Sequence, residues 1–211
     1  EKTFQMKAET DPEAYLSICL GKINEVITTQ HRVCIDDISL EKVDAPVVGP
    51  VEAGQNLLVN PDFSNVDDAM EGWTETIANW GEGYVTEATR SLNNGVITYD
   101  ILNPGEEDWH VQLKQSEVAL EDGATYRVTF DMVSTAARTV KTGVMSTNLV
   151  TYGNSDEVLE AGVSKAVSYD FTMSVADTGA DFFISMGKIA GEDTNPSQIS
   201  ISNLKLVKVE E

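Results

Sequence analysis

Residues 108–132 read DWHVQLKQSEVALEDGATYRVTFDM, and the period of two within this stretch decides the fold. In its second half Tyr126, Val128, Phe130 and Met132 alternate with Arg127, Thr129 and Asp131. In its first half Trp109, Val111 and Leu113 alternate with His110, Gln112 and Lys114. Side chains on a strand point to opposite faces in turn, so each half predicts a strand with one apolar and one polar face. EDGA (121–124) between the halves has turn chemistry. The same alternation recurs in VKTGVMS (140–146) and SYDFTMS (168–174), and YGNSDE (152–157) and GEDTNPS (191–197) are assigned to turns or loops. No segment from residue 56 onward sustains a 3.6-residue apolar period. The expectation is an all-β chain, two antiparallel sheets packed face to face as a β-sandwich of jelly-roll type.

Composition narrows the class further. The 211 residues are 41% apolar and 23% charged, with no apolar run approaching the roughly twenty residues that span a bilayer. The net charge of −21 divides into −4 over residues 1–45 (nine acids, five bases) and −17 over 46–211 (twenty-six acids, nine bases). Such a surface repels phosphate backbones and anionic lipid, which argues against nucleic acid and membrane as partners and leaves a neutral ligand compatible.

The sequence also repeats itself. GKINEVITTQHRVCIDDISLEKV (21–43) aligns without a gap with GKIAGEDTNPSQISISNLKLVKV (187–209), and FQMKAETDPEAYLSICLGK (4–22) aligns with FTMSVADTGADFFISMGK (171–188). With VDAPVVGPVEAGQ (43–55) as an extended linker, the expected division is residues 1–44 as the last strands of a preceding module, 45–55 as linker and 56–211 as one complete module. Residues 1–44 alone would carry unpaired strand edges, so they are expected to dock with a fragment of the same module or to exchange strands with another copy. Cys19 and Cys34 align with Ser185 and Ser200. Spacing alone leaves open whether they bridge or remain free thiols.

Taken in order, NLLVNPDFS…GW (56–73), DWHVQLKQSEVALEDGATYRVTFDM (108–132) and YDFTM…DFFISMGK…ISISNLKLVKV (169–209) resemble the family 4, 9, 16 and 22 group of carbohydrate-binding modules. The resemblance covers essentially all of 56–211. It implies a non-catalytic jelly roll that binds β-glucan, mannan or xylan chains along a concave sheet, usually appended to a secreted polysaccharide hydrolase, and therefore an extracellular or cell-surface location. It also implies one structural calcium between the first and last strands. Asp62 and Asn203 are the matching positions, although Asn203 stands where the N-terminal copy has Asp37, and Ser64 stands where the family often has Glu.

The residues support a sugar site on their own chemistry. Sugar rings present apolar C–H faces rimmed by hydroxyls, so a site needs aromatic platforms with planar amide or charged groups beside them. His110, Gln112 and Lys114, with Arg127 and Asp131 on the following strand, are expected to form one outward polar constellation. Trp73 is a rim platform or a core plug. Trp80 and Tyr84, in the Gly-rich loop ANWGEGY, and Tyr152, in LVTYGNSDE, are candidate stacking aromatics, while Trp109 shares a face with Val111 and Leu113 and is assigned to the core. No GxSxG, HExxH or P-loop is present, and the only histidines are His31 and His110. The carboxylates of EED (106–108) are read as a solvated loop rather than a glycosidase pair. A carbohydrate-binding module is thus favoured over a structural or adhesion repeat, and both over a small hydrolase.

Overall fold

The computed structural model describes residues 51–81, 83–191 and 196–210. Residues 1–44, with Cys19 and Cys34, lie outside the described residues, and so does most of the expected linker. The ten strands are β1 (Trp73–Ile77), β2 (Glu87–Asn93), β3 (Val96–Asn103), β4 (Val111–Leu120), β5 (Thr125–Ser134), β6 (Arg138–Met145), β7 (Thr151–Leu159), β8 (Lys165–Thr172), β9 (Asp177–Ser185) and β10 (Ser197–Lys208). They form two five-stranded sheets with orders β1-β4-β9-β6-β7 and β2-β3-β10-β5-β8, every pair antiparallel. The described residues form an all-β sandwich, as the alternation predicts.

The core lies between the sheets and is made by the predicted faces. Val111 and Leu113 of β4, Phe182 and Ile184 of β9 and Val140 and Val144 of β6 meet Tyr99 of β3, Tyr126, Val128, Phe130 and Met132 of β5 and Ile199, Ile201, Leu204 and Leu206 of β10, all buried. Each large apolar side chain so removed from water contributes roughly 1.5–3 kcal/mol. Polar groups are accommodated within this packing. Arg138 reaches the Ser197 hydroxyl and the carbonyls of Met186 and Gly187, and Asn56 bonds both Leu206 N–H and the Leu204 carbonyl, fixing the chain's entry against β10.

Two local expectations change. YGNSDE is not a loop but most of β7, with Asn154 opposite Gly143 and Asp156 opposite Lys141 of β6. Its turn-type residues are tolerated because β7 is the sheet's edge and pairs on one side only. The alternation of residues 108–113 also fails at its start. Asp108–His110 is a single 3-10 turn closed by His110 N–H donating to the Glu107 carbonyl, and β4 begins at Val111. A three-residue turn breaks the period of two, so Trp109 turns out and His110 turns in.

Candidate functional site

The outer face of the β1-β4-β9-β6-β7 sheet carries two rows of side chains set by register. One runs Thr76, Gln112, Ser185, Lys141, Asp156; the next runs Thr74, Lys114, Phe183, Gly143, Asn154. Within the first row Gln112 Nε2 donates to Ser185 Oγ at 2.9 Å. The two lysines are neutralised in place: Lys114 Nζ is 3.2 Å from Asp181 Oδ2, and Lys141 Nζ is 2.8 Å from Asp108 Oδ2. The hydrogen bond it donates to Asp108 raises the Lys141 ammonium above its ordinary range against the cost of partial burial. The face is therefore rich in donors and acceptors without a strong field of either sign.

The second row has an apolar centre. A Cβ on Gly143 would lie 2.8 Å from Phe183 Cζ and 2.9 Å from Cε1, so the half-buried Phe183 ring rests across the neighbouring strand where Gly143 leaves room. The ring lies along the sheet between Lys114 and Asn154. A flat aromatic with flanking polar groups is the arrangement that a sugar ring's C–H face and hydroxyl rim require.

At the Val111 end of β4 stands a cluster of exposed aromatics. Trp80, 60% exposed, stacks on Trp109, 37% exposed, with centroids 6.3 Å apart and planes at 23°. Tyr84 packs at 4.9 Å from Trp80 and 6.1 Å from Trp109. Trp80 and Tyr84 come from the loop between β1 and β2, where Gly81 and Tyr84 exchange backbone hydrogen bonds and Gly81 and Gly83 adopt φ of 83° and 97°. Trp109 comes from the 3-10 turn, and Lys141 ties that turn to β6 through Asp108. The cluster and the first polar row are thus adjacent parts of one surface.

The sequence-derived candidates divide accordingly. Trp80, Tyr84, Gln112 and Lys114 come together on this surface. His110 does not point outward: it is 2% exposed, under Tyr84 at 5.1 Å and Trp109 at 4.4 Å. Trp73 is a core plug, 5% exposed, packed on Phe63 and Phe182, with its indole N–H donating to the Asn60 carbonyl. Arg127 and Asp131 lie on the outer face of the other sheet, because β4 and β5 belong to different sheets. There Arg127 makes a bidentate pair with Asp170, both bonds 2.7 Å, which holds the Asp170 carboxyl below its ordinary range, and Asp131 accepts a hydrogen bond from Asn203. Tyr152 is half-buried on β7 rather than in a loop, and its hydroxyl donates to Asp177. Burial, then the Asp177 carboxylate, pushes the Tyr152 hydroxyl up to about 12. Trp109, Phe183 and Lys141 belong to the surface, with Ser185 and Asp181 buried beneath it, and none of these was among the expected contacts. Phe183 was within reach, since the period of two in DFFIS places Phe182 and Ile184 inward and Phe183 outward.

Neither a metal cage nor a catalytic pair is apparent among the described residues. Asp62 Oδ1 accepts from the Ser64 N–H and hydroxyl, and Asn203 Nδ2 donates to Asp131 Oδ2. No three His, Cys, Asp or Glu side chains there converge on a common point. Of the EED carboxylates, Glu106 pairs with Lys188 and Asp108 with Lys141.

The carbohydrate-binding domain family of types 4 and 9 matches residues 55–197. The chain belongs to this family. Among solved structures, a family 4 carbohydrate-binding module superposes with a TM-score of 0.61 at 17% identity, covering 72% of this chain and 99% of its own. An arabinose-bound α-L-arabinofuranosidase contains a similar sandwich, with a TM-score of 0.54 at 12% identity over 76% of this chain and 27% of the enzyme. The N-terminal cellulose-binding domain of Cellulomonas fimi β-1,4-glucanase C gives 0.48 at 17% identity over 67% and 91%. No curated protein matches the chain at a significant level. Family membership makes this a carbohydrate-binding domain rather than a catalytic one, and it implies a carbohydrate ligand. The first two of these structures, at these identities, establish the fold.

Proposed function

We propose that this carbohydrate-binding domain holds a neutral β-linked polysaccharide, a β-glucan, mannan or xylan of plant or microbial origin, against the outer face of the β1-β4-β9-β6-β7 sheet. The observation that carries the proposal is the exposed Trp80–Trp109 stack at the end of a face paved by Phe183 and lined by Gln112 and Lys114. A pyranose stacks on the indoles or on Phe183, and its hydroxyls exchange hydrogen bonds with the Gln112 amide and the Lys114–Asp181 and Lys141–Asp108 pairs. Because each lysine is already neutralised, and the chain as a whole carries −21, a polyuronate gains little on this surface. Such ligands lie outside cells, so the domain works in an extracellular or surface-attached protein, where it keeps a joined glycoside hydrolase on its substrate.

The test is affinity electrophoresis of the chain through barley β-glucan, laminarin, xylan, glucomannan and hydroxyethylcellulose, with Trp80→Ala, Trp109→Ala and Gln112→Ala alongside. Retardation on at least one polymer, weakened about tenfold or more by either tryptophan substitution, is expected. Retardation that survives all three substitutions would move the site off this face, and no retardation on any polymer would return the domain to a structural role.

A further inference from the structure

We infer that a hollow beside β4, at the end away from the tryptophan stack, is a further sugar subsite that takes one pyranose unit of a glycan running along β4. This inference rests on the reading that the stack contacts the glycan. β1 and β4 are antiparallel, so Ile77 and Val111 lie together at the aromatic end, and Trp73 and Gln115 lie together toward the other. There Val59, Gly72, Thr74, Ser116 and Glu117 line a hollow of about 260 Å³. Pockets for whole drug-sized ligands run to about 300–1,000 Å³, so this one suits a single ring. Thr74 is the neighbour of Lys114 in the second row of the outer face, which makes the hollow continuous with the proposed glycan surface. From Val111 to Ser116 is about 17 Å at ~3.4 Å per strand residue, roughly three linked pyranoses. Gln112, Lys114 and the Phe183 ring opposite Lys114 lie along that path.

Specific contacts give the hollow its shape. Gln115, 2% exposed, accepts the Val59 N–H at 2.6 Å and donates to the Val59 carbonyl at 2.9 Å, which fixes the segment bearing the Val59 methyls against β4. Gly72, at φ 78°, brings the chain close to that segment, since a Cβ there would lie 3.0 Å from Val59 Cβ. The register of β4 with β9 shifts between Gln115 and Val118, and within this bulge Glu117 holds φ 64°, in the left-handed region that non-glycine residues rarely adopt. Bulges re-aim side chains, and backbone held in a sparsely populated region concentrates where a ligand is met. Here the bulge sets the Glu117 carboxylate on the hollow beside the Ser116 and Thr74 hydroxyls. The Thr74 hydroxyl already donates to the Lys114 carbonyl, so toward a sugar it is an acceptor. The valine methyls match the C–H face of a pyranose, and the carboxylate takes a sugar hydroxyl in a charge-assisted hydrogen bond.

The experiment titrates the full chain with cello-, manno- and xylo-oligosaccharides, from disaccharide to hexasaccharide, and follows backbone amide and indole N–H signals by NMR, which yields affinity and location together. Wild-type protein and Glu117→Gly are compared. Glycine suits the left-handed backbone it inherits, so Tm should be no lower than wild type. In the best-bound series the hexasaccharide should shift the Gly72 and Ser116 amides as well as the Trp80 and Trp109 indoles, whereas the disaccharide should shift the indoles alone. Glu117→Gly should bind the hexasaccharide about tenfold more weakly, the worth of one hydrogen bond to a charged group, and the disaccharide as wild type does. Equal hexasaccharide affinities for the two proteins overturn the subsite and leave the tryptophan site standing. Equal losses on disaccharide and hexasaccharide also overturn it, because the carboxylate then acts through the fold and not on a distant sugar. Wild-type protein that binds no length in any series overturns the glycan reading and the subsite with it. If Glu117→Gly does not fold, the wild-type map decides: Gly72 and Ser116 amides that stay unshifted while the hexasaccharide shifts the indoles overturn the subsite.

Discussion

Gly187→Ala tests whether the aromatic cluster is held by the end of β9. The glycine sits two residues beyond that strand, where its N–H donates to the Asp108 carbonyl at 2.7 Å and the following Lys188 N–H donates to the Glu107 carbonyl at 3.2 Å. A Cβ at this position would overlap the Glu107 oxygen and lie 2.7 Å from the Asp108 oxygen. Both obstacles are backbone, with no side-chain rotation to relieve them, so the turn must retreat on the order of an ångström. Overpacking of this kind costs about 1–3 kcal/mol, and weakening the two hydrogen bonds adds about 0.5–1.5 kcal/mol each. A net loss of about 2–6 kcal/mol follows, which for a domain of this size lowers Tm by roughly 4–24 °C. Because Trp109 rides on the same turn, glycan affinity should fall about tenfold in protein that is still folded. Gly179→Ala is the control: its Cβ would meet only Asp177 Oδ1 at 3.9 Å, so stability should change by less than about 0.5 kcal/mol. Thermal unfolding followed by circular dichroism, with affinity electrophoresis well below Tm, reads both quantities. Equal Tm values for the two variants, or a destabilised Gly187→Ala that binds as wild type, would refute the coupling of turn and cluster.

The two tryptophan environments should separate cleanly. Trp73→Ala empties a site against Phe63 and Phe182 and should cost about 3–5 kcal/mol by chemical denaturation, whereas Trp80→Ala should leave stability within about 0.5 kcal/mol and weaken binding. Arg127→Ala removes an exposed ion pair on the opposite sheet, so electrophoretic retardation should be unchanged and stability altered by less than about 1 kcal/mol. Tyr152 is raised to about 12 by burial and the Asp177 bond, and burial also raises Tyr99 and Tyr169. Such groups stabilise the fold fully below the ordinary tyrosine value, about 10, and lose that contribution as pH rises through their folded values. Chemical stability should therefore be level across neutral pH and fall above about pH 10, less steeply in Tyr152→Phe, and a flat profile to pH 12 would contradict the burial of these hydroxyls.

The fold was legible because alternation reports one thing faithfully, which face of a strand meets the core. TYRVTFDM and VQLKQ kept every inward residue they promised. Alternation does not say which sheet a strand joins. EDGA between β4 and β5 has turn chemistry, so the two strands read as neighbours, and Arg127 and Asp131 were grouped with Gln112 and Lys114. In a sandwich, outward means opposite directions for the two sheets, and a connection that crosses from one sheet to the other puts the two polar faces on opposite sides of the molecule. Strand order is fixed by pairings far apart in sequence, such as β4 with β9 and β10 with β3. No short window contains that information.

The aromatic assignments failed for a different and more local reason. Trp109 was given to the core and His110 to the surface by extending the period of β4 two residues upstream, past the point where the strand begins. Asp108–His110 turns with three residues per cycle, and a shift of one residue exchanges inside for outside for every side chain before Val111. A polar EED run after Pro104 and Gly105 was the available sign that strand geometry had not yet started. The exchange matters beyond bookkeeping of faces. It brings the third aromatic to Trp80 and Tyr84, and it places the only histidine of residues 56–211 where one backbone N–H, that of Glu106, joins its ring to the turn. Phe183 needs the same kind of two-part evidence, since an outward phenylalanine becomes a floor only because the strand beside it has glycine at 143. In both cases the surface depends on a pair of positions from different elements, and each member of the pair reads as ordinary when taken alone.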